Sequence, residues 1–191
     1  MDAANVLEVL ERLSAAGIRP VLDGGWGVDA LLGEQTRHHD DLDVVLARAA
    51  AEPAERALGE IGFQPLAEVR PGLPARLVLR RAEGDRRVDL HLVVFDRVGN
   101  GWQELPGGGW GLYGREHLRA HGLIAGHRVR CVTAELQLQH HLGFALTDTD
   151  RHDLRQLAAR FGIPVPPELG RKAAQAESRS ANSSSGCRSP R

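Results

Sequence analysis

Residues 23–46 read DGGWGVDALLGEQTRHHDDLDVVL. A short apolar run, Pro20–Leu22, leads into the two glycines, and WGVDALLG then takes up helical spacing until Gly33. DLDVVLA alternates and then turns wholly apolar, the pattern of a strand running into a core. In a strand, residues two apart point the same way, so Asp41 and Asp43 share a face while Leu42 and Val44 occupy the other. Two carboxylates aligned in this way repel each other, and the repulsion asks for a cation.

A second acidic strand lies downstream. ARLVLRR and RRVDLHLVVF read as two strands joined by the turn AEGD, and the alternation puts Asp89 and His91 on one face with Val88 and Leu90 on the opposite one. If this strand neighbours DLDVVL, three carboxylates and an imidazole converge. Such a cluster is costly unless a divalent cation or two sits in it. Oxygen ligands of this kind suit Mg²⁺, and two such ions can hold the attacking and leaving oxygens of an in-line displacement. Gly24 and Gly25, between strand and helix, would let backbone N–H groups approach a phosphate at the positive end of the helix. Taken singly, each piece has a plainer reading: a solvated strand end, a simple turn, a hydrogen-bonded histidine. The joint order of strand, Gly-Gly, helix, Asp-x-Asp strand and second acidic strand favours a phosphate-and-metal site.

Around this centre the chain reads as follows. Residues 5–16 form a helix with Val6, Leu10 and Leu13 on one face, and Pro53–Leu58 forms another, closed by Gly62. Residues 96–114 hold seven glycines with Trp102 and Trp110, and read as one long loop, its PGGGW stretch a lid or connector. GLIAGHRVRCV reads as a hairpin, and two amphipathic helices follow, with Thr133 and either Asp148 or Thr149 as N-caps. The expected fold is α+β (mixed α/β): a small sheet covered by helices over residues 1–113, then a small helical C-terminal domain over 114–170. Residues 171–191 lack apolar periodicity and read as a disordered tail.

Composition narrows the function. The 191 residues carry a net charge of −1, with Lys172 the only lysine and no basic stripe, which argues against a nucleic-acid partner. No apolar run approaches the ~20 residues needed to span a bilayer. The start MDAANVLEVLERL has neither the basic opening nor the apolar stretch of a secretory signal, so a cytoplasmic enzyme without membrane association is expected. Cys131 and Cys187 lie too far apart to suggest a cysteine metal site.

The order of these elements resembles the DNA polymerase β-like nucleotidyltransferase superfamily. More narrowly, Gly24, Gly25, Trp26, Asp29, Gly33, Thr36, Arg37, His39, Asp41 and Asp43 are similar to the signature of the aminoglycoside 2″-nucleotidyltransferase and lincosamide nucleotidyltransferase group. The resemblance covers roughly residues 5–165 and extends to VDLHLVVF as the third-carboxylate strand. It implies transfer of a nucleoside monophosphate from ATP or another NTP to a hydroxyl of a small acceptor, with release of pyrophosphate. It implies Asp41, Asp43 and Asp89 as catalytic residues, with Asp41, Asp43, Asp89 and His91 as ligands of Mg²⁺, two ions being expected. Asp89 or His91 would be the proton acceptor. Gly24, Gly25 and Arg37 would bind the nucleotide triphosphate. Arg37 also has a plainer reading, an ion pair with Asp40 or Glu34.

An aminoglycoside acceptor is a polycation and would need further carboxylates, for which Glu104, Glu116, Glu135, Asp148, Asp150 and Asp153 are available. Trp102, Trp110 and Tyr113 either wall an acceptor pocket or pin their loop to the core. His140 and His141, in mid-helix, cannot both face one metal and read as core or surface. Two rival readings stand beside the small-molecule transferase, which is expected as a monomer or homodimer: a transferase acting on a tRNA or protein hydroxyl, and a nucleotide-binding module without turnover.

Overall fold

The computed structural model describes residues 1–66, 75–105, 108–141 and 145–164; the tail expected over 171–191 lies outside the described residues. The α+β class is observed, with a nine-stranded mixed sheet covered by helices. At the sheet's centre β2 (Asp41–Ala47) runs parallel to β5 (Arg86–Phe95), with Asp43 directly opposite Asp89. β1 (Val21–Leu22) flanks β2 on its other side, and β4 (Arg76–Arg81) flanks β5, with β3 (Gln64–Pro65) beyond it.

The helices follow from their apolar spacing. α1 (Ala3–Ala15) starts at Asp2, whose side chain accepts from the Asn5 N–H, and it buries Val6, Val9, Leu10 and Leu13. With Ala54 and Leu58 of α3 (Ala51–Gly59) it packs on Leu42, Val44 and Leu46 of β2 and Val88, Leu90 and Leu92 of β5. The opposite face of the same strands buries Val45 and Val93 in a second cluster with Tyr113, Leu118, Val132 and Leu136. β2 is therefore covered on both sides toward its end, which explains its switch from alternation to a continuous apolar run.

Beyond residue 113 the chain continues the same sheet. β8 (Ala120–Ile124) and β9 (His127–Cys131) form the expected hairpin, and β9 joins β1 in parallel. α2 (Gly24–Leu32) lies so close to β8 that a Cβ at Gly122 would sit 2.1 Å from the Ala30 carbonyl oxygen. α4 (Ala134–His140) and α5 (Asp148–Phe161) then pack against α2 through Val28, Ala134, Leu138, Leu154 and Leu157.

Two local expectations are corrected. Residues 96–114 are not one long loop: β6 (Gly101–Glu104) and β7 (Trp110–Tyr113) form a hairpin, and β6 pairs with the end of β5. Asp96 organises the turn into it. Its carboxylate accepts from the Val98 and Asn100 backbone N–H groups, from Asn100 Nδ2 and from Trp102 Nε1 at 2.9–3.1 Å. Those bonds, Trp102 first, hold the Asp96 carboxyl down at about 2. Gly99, Gly108 and Gly109 supply the positive φ that the two turns need. The glycines thus mark turns, and ladder pairing with Val94 and Phe95 overrides their low strand propensity.

The second correction concerns α5. Its N-cap is Thr147, not Asp148 or Thr149, because Thr147 and Asp150 close a reciprocal capping box: Thr147 Oγ1 accepts from the Asp150 N–H and Asp150 Oδ2 from the Thr147 N–H. Thr133 caps α4 as expected. No helix among the described residues is long and apolar enough to cross a membrane.

Candidate active site

The site is built on the facing starts of β2 and β5. Asp43, Asp89 and His91 each offer a ligand atom, and these atoms all lie within 4.8 Å of one another. His91 Nε2 stands 3.2 Å from Asp43 Oδ1 and 3.9 Å from Asp89 Oδ1. Asp41 is one strand step further out, at the open start of β2, and lies outside this group. Loss of solvent on its protein side, then the Asp43 charge, raise the Asp41 carboxyl above its ordinary value. Asp89 is buried and doubly bonded by the Arg76 guanidinium of β4, Nε to Oδ1 at 2.9 Å and Nη2 to Oδ2.

α2 begins at this cluster. Asp23 is its N-cap and takes the Gly24 N–H at 2.9 Å, so Gly24 and Gly25 form the first turn of the helix, not a loop before it. Gly24 has φ +56°, and a Cβ there would lie 2.1 Å from Asp43 Oδ2. A Cβ at Gly25 would meet Arg37 Nη2 and His39 Nδ1, both at 2.4 Å. At Gly27 it would meet Gln137 Nε2 at 2.6 Å, and that same amide donates to the Gly24 carbonyl at 3.2 Å. The glycines therefore let polar side chains close against a helix N-terminus whose first-turn amides lack intrahelical partners.

A hydrogen-bond chain runs behind the cluster. Tyr113 donates to Asp23 Oδ2 at 3.2 Å, and the Tyr113 oxygen stands 3.1 Å from His91 Nδ1. Burial and the Asp23 charge raise the Tyr113 hydroxyl well above its ordinary value, so it keeps its one hydrogen and gives it to Asp23. With its hydrogen on Asp23, the Tyr113 oxygen can accept from His91 Nδ1, and a proton there would leave a lone pair on Nε2. That buried Nε2 has no hydrogen-bond partner among the described residues and faces two carboxylates. Two carboxylates and this imidazole nitrogen form a donor set that fits a divalent cation. Burial alone would push the Asp23 carboxyl up; the His140 ring, His91 and the Gly24 amide outweigh it and hold Asp23 at about 2.

The remaining signature residues brace the loop between α2 and β2. Asp29, buried in α2, accepts from the Thr36 backbone N–H at 3.0 Å and from its hydroxyl at 2.7 Å, and it pairs with His39 Nε2. The Trp26 and His39 rings are in tilted contact, centroids 4.7 Å apart. Arg37 meets neither Asp40 nor Glu34; its fork grips Asp153 of α5 at 2.7–3.1 Å while Nη2 stays beside Gly25. Burial would raise the Asp29 carboxyl, but His39 and Thr36 together lower it below its ordinary 3.8. Its contribution to stability is therefore present in full above about pH 4 and is lost as pH falls further. Asp29→Asn is expected to cost about 1–3 kcal/mol at pH 7 and to flatten the acid limb; urea unfolding at pH 7 and pH 3 measures both.

The sequence reading passed over Asp23, Arg76, Tyr113 as a bonding partner, Gln137 and His140. Some signals were present. An Asp before a glycine-led helix is an N-cap pattern, and Gln137 and His140 are three apart on one helix face. That face reaches the site: His140 Nδ1 is 3.8 Å from Asp23 Oδ2 and its ring meets Tyr113 edge-on, whereas His141 turns to the Gln137 carbonyl and Asp150. Arg76 carries no local signal, since only the register of β4 on β5 brings it to Asp89.

The chain has relatives among known proteins. The family model described as aminoglycoside-2″-adenylyltransferase matches residues 5–157. A lincosamide resistance protein of Staphylococcus haemolyticus is 32% identical over 136 residues, 71% of this chain and 81% of that protein. A 2″-aminoglycoside nucleotidyltransferase of Escherichia coli is 29% identical over 134 residues, 69% of each chain. Among solved structures, the lincosamide antibiotic adenylyltransferase LnuA, lincomycin-bound, superposes with a TM-score of 0.69 at 27% identity, covering 83% of this chain and 96% of that one. A mixed sheet with paired acids facing a glycine-led helix is the framework of a nucleotidyltransferase, and that is the class of this enzyme. The chain belongs to the aminoglycoside-2″-adenylyltransferase family.

Proposed function

We propose that the enzyme transfers a nucleoside monophosphate, from ATP or another NTP, to a hydroxyl of a small antibiotic-type acceptor and releases pyrophosphate. The observation that carries this reading is the register of Asp43 on Asp89 beside the glycine-led start of α2. Asp43, Asp89 and His91, with Asp41 at the rim, would hold one or two Mg²⁺ ions. Bound there, the cation supplies charge neutralisation and Lewis-acid polarisation at the reacting phosphate.

The chain's own groups do the rest. The first-turn amides of α2 at Gly24 and Gly25 would receive the triphosphate, with Arg37, which the missing Cβ of Gly25 admits, as a further donor. Tyr113 fixes the ring of His91 so that Nε2 stays aimed at the acids. Asp89 accepts the acceptor's proton or completes the ligand set, and Arg76 orients it for either role. Asp89→Asn separates the two: loss of the base lowers kcat by about 10²–10⁴-fold and leaves Mg²⁺-dependent nucleotide binding within a few-fold of wild type. A matching loss of binding would make Asp89 a ligand instead.

A lincosamide-type acceptor fits the second half of the chain better than a polycation. Several of the acids available there are already engaged: Asp153 by Arg37, Asp150 by Thr147, Glu104 by Arg48. The test is pyrophosphate release and product mass with each NTP and Mg²⁺, using lincomycin or an aminoglycoside with a free 2″ hydroxyl. The expected product is lincomycin carrying one nucleotidyl group, heavier by a nucleoside monophosphate less one water. No product from any pair would refute the reading.

A further inference from the structure

A cavity of about 580 Å³ opens at the far end of β2, away from the acids. That volume is in the range of small-molecule pockets. Val45 and Ala47 both line it, and at ~3.3 Å per residue Ala47 lies about 13 Å along the strand from Asp43. Its apolar wall includes Ile18, Val45 and Leu118, while Arg19, Arg115, Arg119 and Arg130 surround it, and no lining residue is an acid.

Arg12, Arg37, Arg48, Arg76 and Arg81 each meet a carboxylate. Among the described residues Arg19, Arg119 and Arg130 meet none within 4.0 Å. Arg130 gives one N–H to the Leu118 carbonyl at 3.0 Å, leaving the rest of its fork available. Burial, then the charges of Arg19 and Arg119, pull the Arg130 guanidinium below its ordinary value, so the three cations act on one another. Three converging positive charges over an apolar wall lack the partner that would offset their repulsion.

We propose that this cavity is a second binding site, for a small organic anion whose carboxylate or sulfonate meets Arg19, Arg119 and Arg130 and whose apolar body lies against Ile18, Val45 and Leu118. Neither half of such a ligand suffices alone. An inorganic anion leaves the apolar wall wet, and a neutral hydrocarbon leaves the guanidinium cluster uncompensated. The site is independent of the transfer reaction and does not rest on the assignment of its acceptor.

The experiment uses anilinonaphthalene sulfonate as a fluorescent reporter on the full folded chain, with decanoate, decanol and inorganic phosphate as competitors. One saturable site is expected, with decanoate displacing the reporter at concentrations at least tenfold below those of decanol or phosphate. Arg119→Gln with Arg130→Gln should weaken reporter binding tenfold or more, and Arg19→Gln, at an exposed position, should weaken it several-fold with an unchanged melting curve. Asp43→Asn should leave it unaltered. The proposal is overturned by decanol or phosphate competing as well as decanoate, by wild-type affinity in both arginine variants, by absence of a saturable site, or by self-association of the chain that the arginine substitutions abolish.

Discussion

Asp43→Asn is expected to lower kcat/KM for nucleotidyl transfer by about 10³-fold, the several kcal/mol that a metal-held transition state supplies. The carboxylate is the point at which three features meet. It faces Asp89 across the parallel strand pair, stands 3.2 Å from His91 Nε2, and fills the space that Gly24 leaves open. The substitution keeps the shape and removes the charge. In the metal-free protein it relieves repulsion with Asp41, so the melting temperature should not fall. The informative comparison is thermal stabilisation by each NTP with and without Mg²⁺. Wild type should show a shift that needs both, and the variant should show none. A metal-dependent shift surviving in Asp43→Asn would remove this residue from the site.

Gly24→Ala should be nearly as damaging, by a different route. At φ +56° an alanine costs about 1–2 kcal/mol in backbone strain, and its methyl would lie 2.1 Å from Asp43 Oδ2. The carboxylate must swing away, so the loss of kcat/KM should approach that of Asp43→Asn, now with a lower melting temperature. Gly25→Ala meets Arg37 Nη2 and His39 Nδ1 instead, in a non-strained backbone. Its effect should fall on nucleotide affinity more than on kcat. Steady-state kinetics with the NTP varied, run beside unfolding curves, distinguishes the three variants. Gly24→Ala with full activity would mean that Asp43 has no fixed position in catalysis.

Much of the site could be read from local pattern because strand geometry is local. The two-residue period placed Asp41 with Asp43 and Asp89 with His91, and it predicted buried Leu42, Val44, Val88 and Leu90 on the other face, all of which are in the core. The glycine-rich stretch 96–114 resisted such reading. Its hairpin depends on Asp96 gathering the turn and on an available edge of β5, neither of which is a property of the glycines. The hairpin at 120–131 was legible as a hairpin, but its membership of the main sheet rests on a single parallel pairing with β1.

The sequence by itself determined the chemistry on offer: acids at alternate strand positions, a glycine-led helix, and a ten-residue signature specific to one family. Tertiary structure decided which partners those groups have. Arg37 is bonded to Asp153, 116 residues away, and Tyr113 to Asp23, 90 residues away. His91 Nδ1 meets the same Tyr113 oxygen at 3.1 Å. Periodicity acts between neighbours along the chain, whereas the choice of counter-ion and the direction of a proton depend on packing between elements that no local spacing encodes.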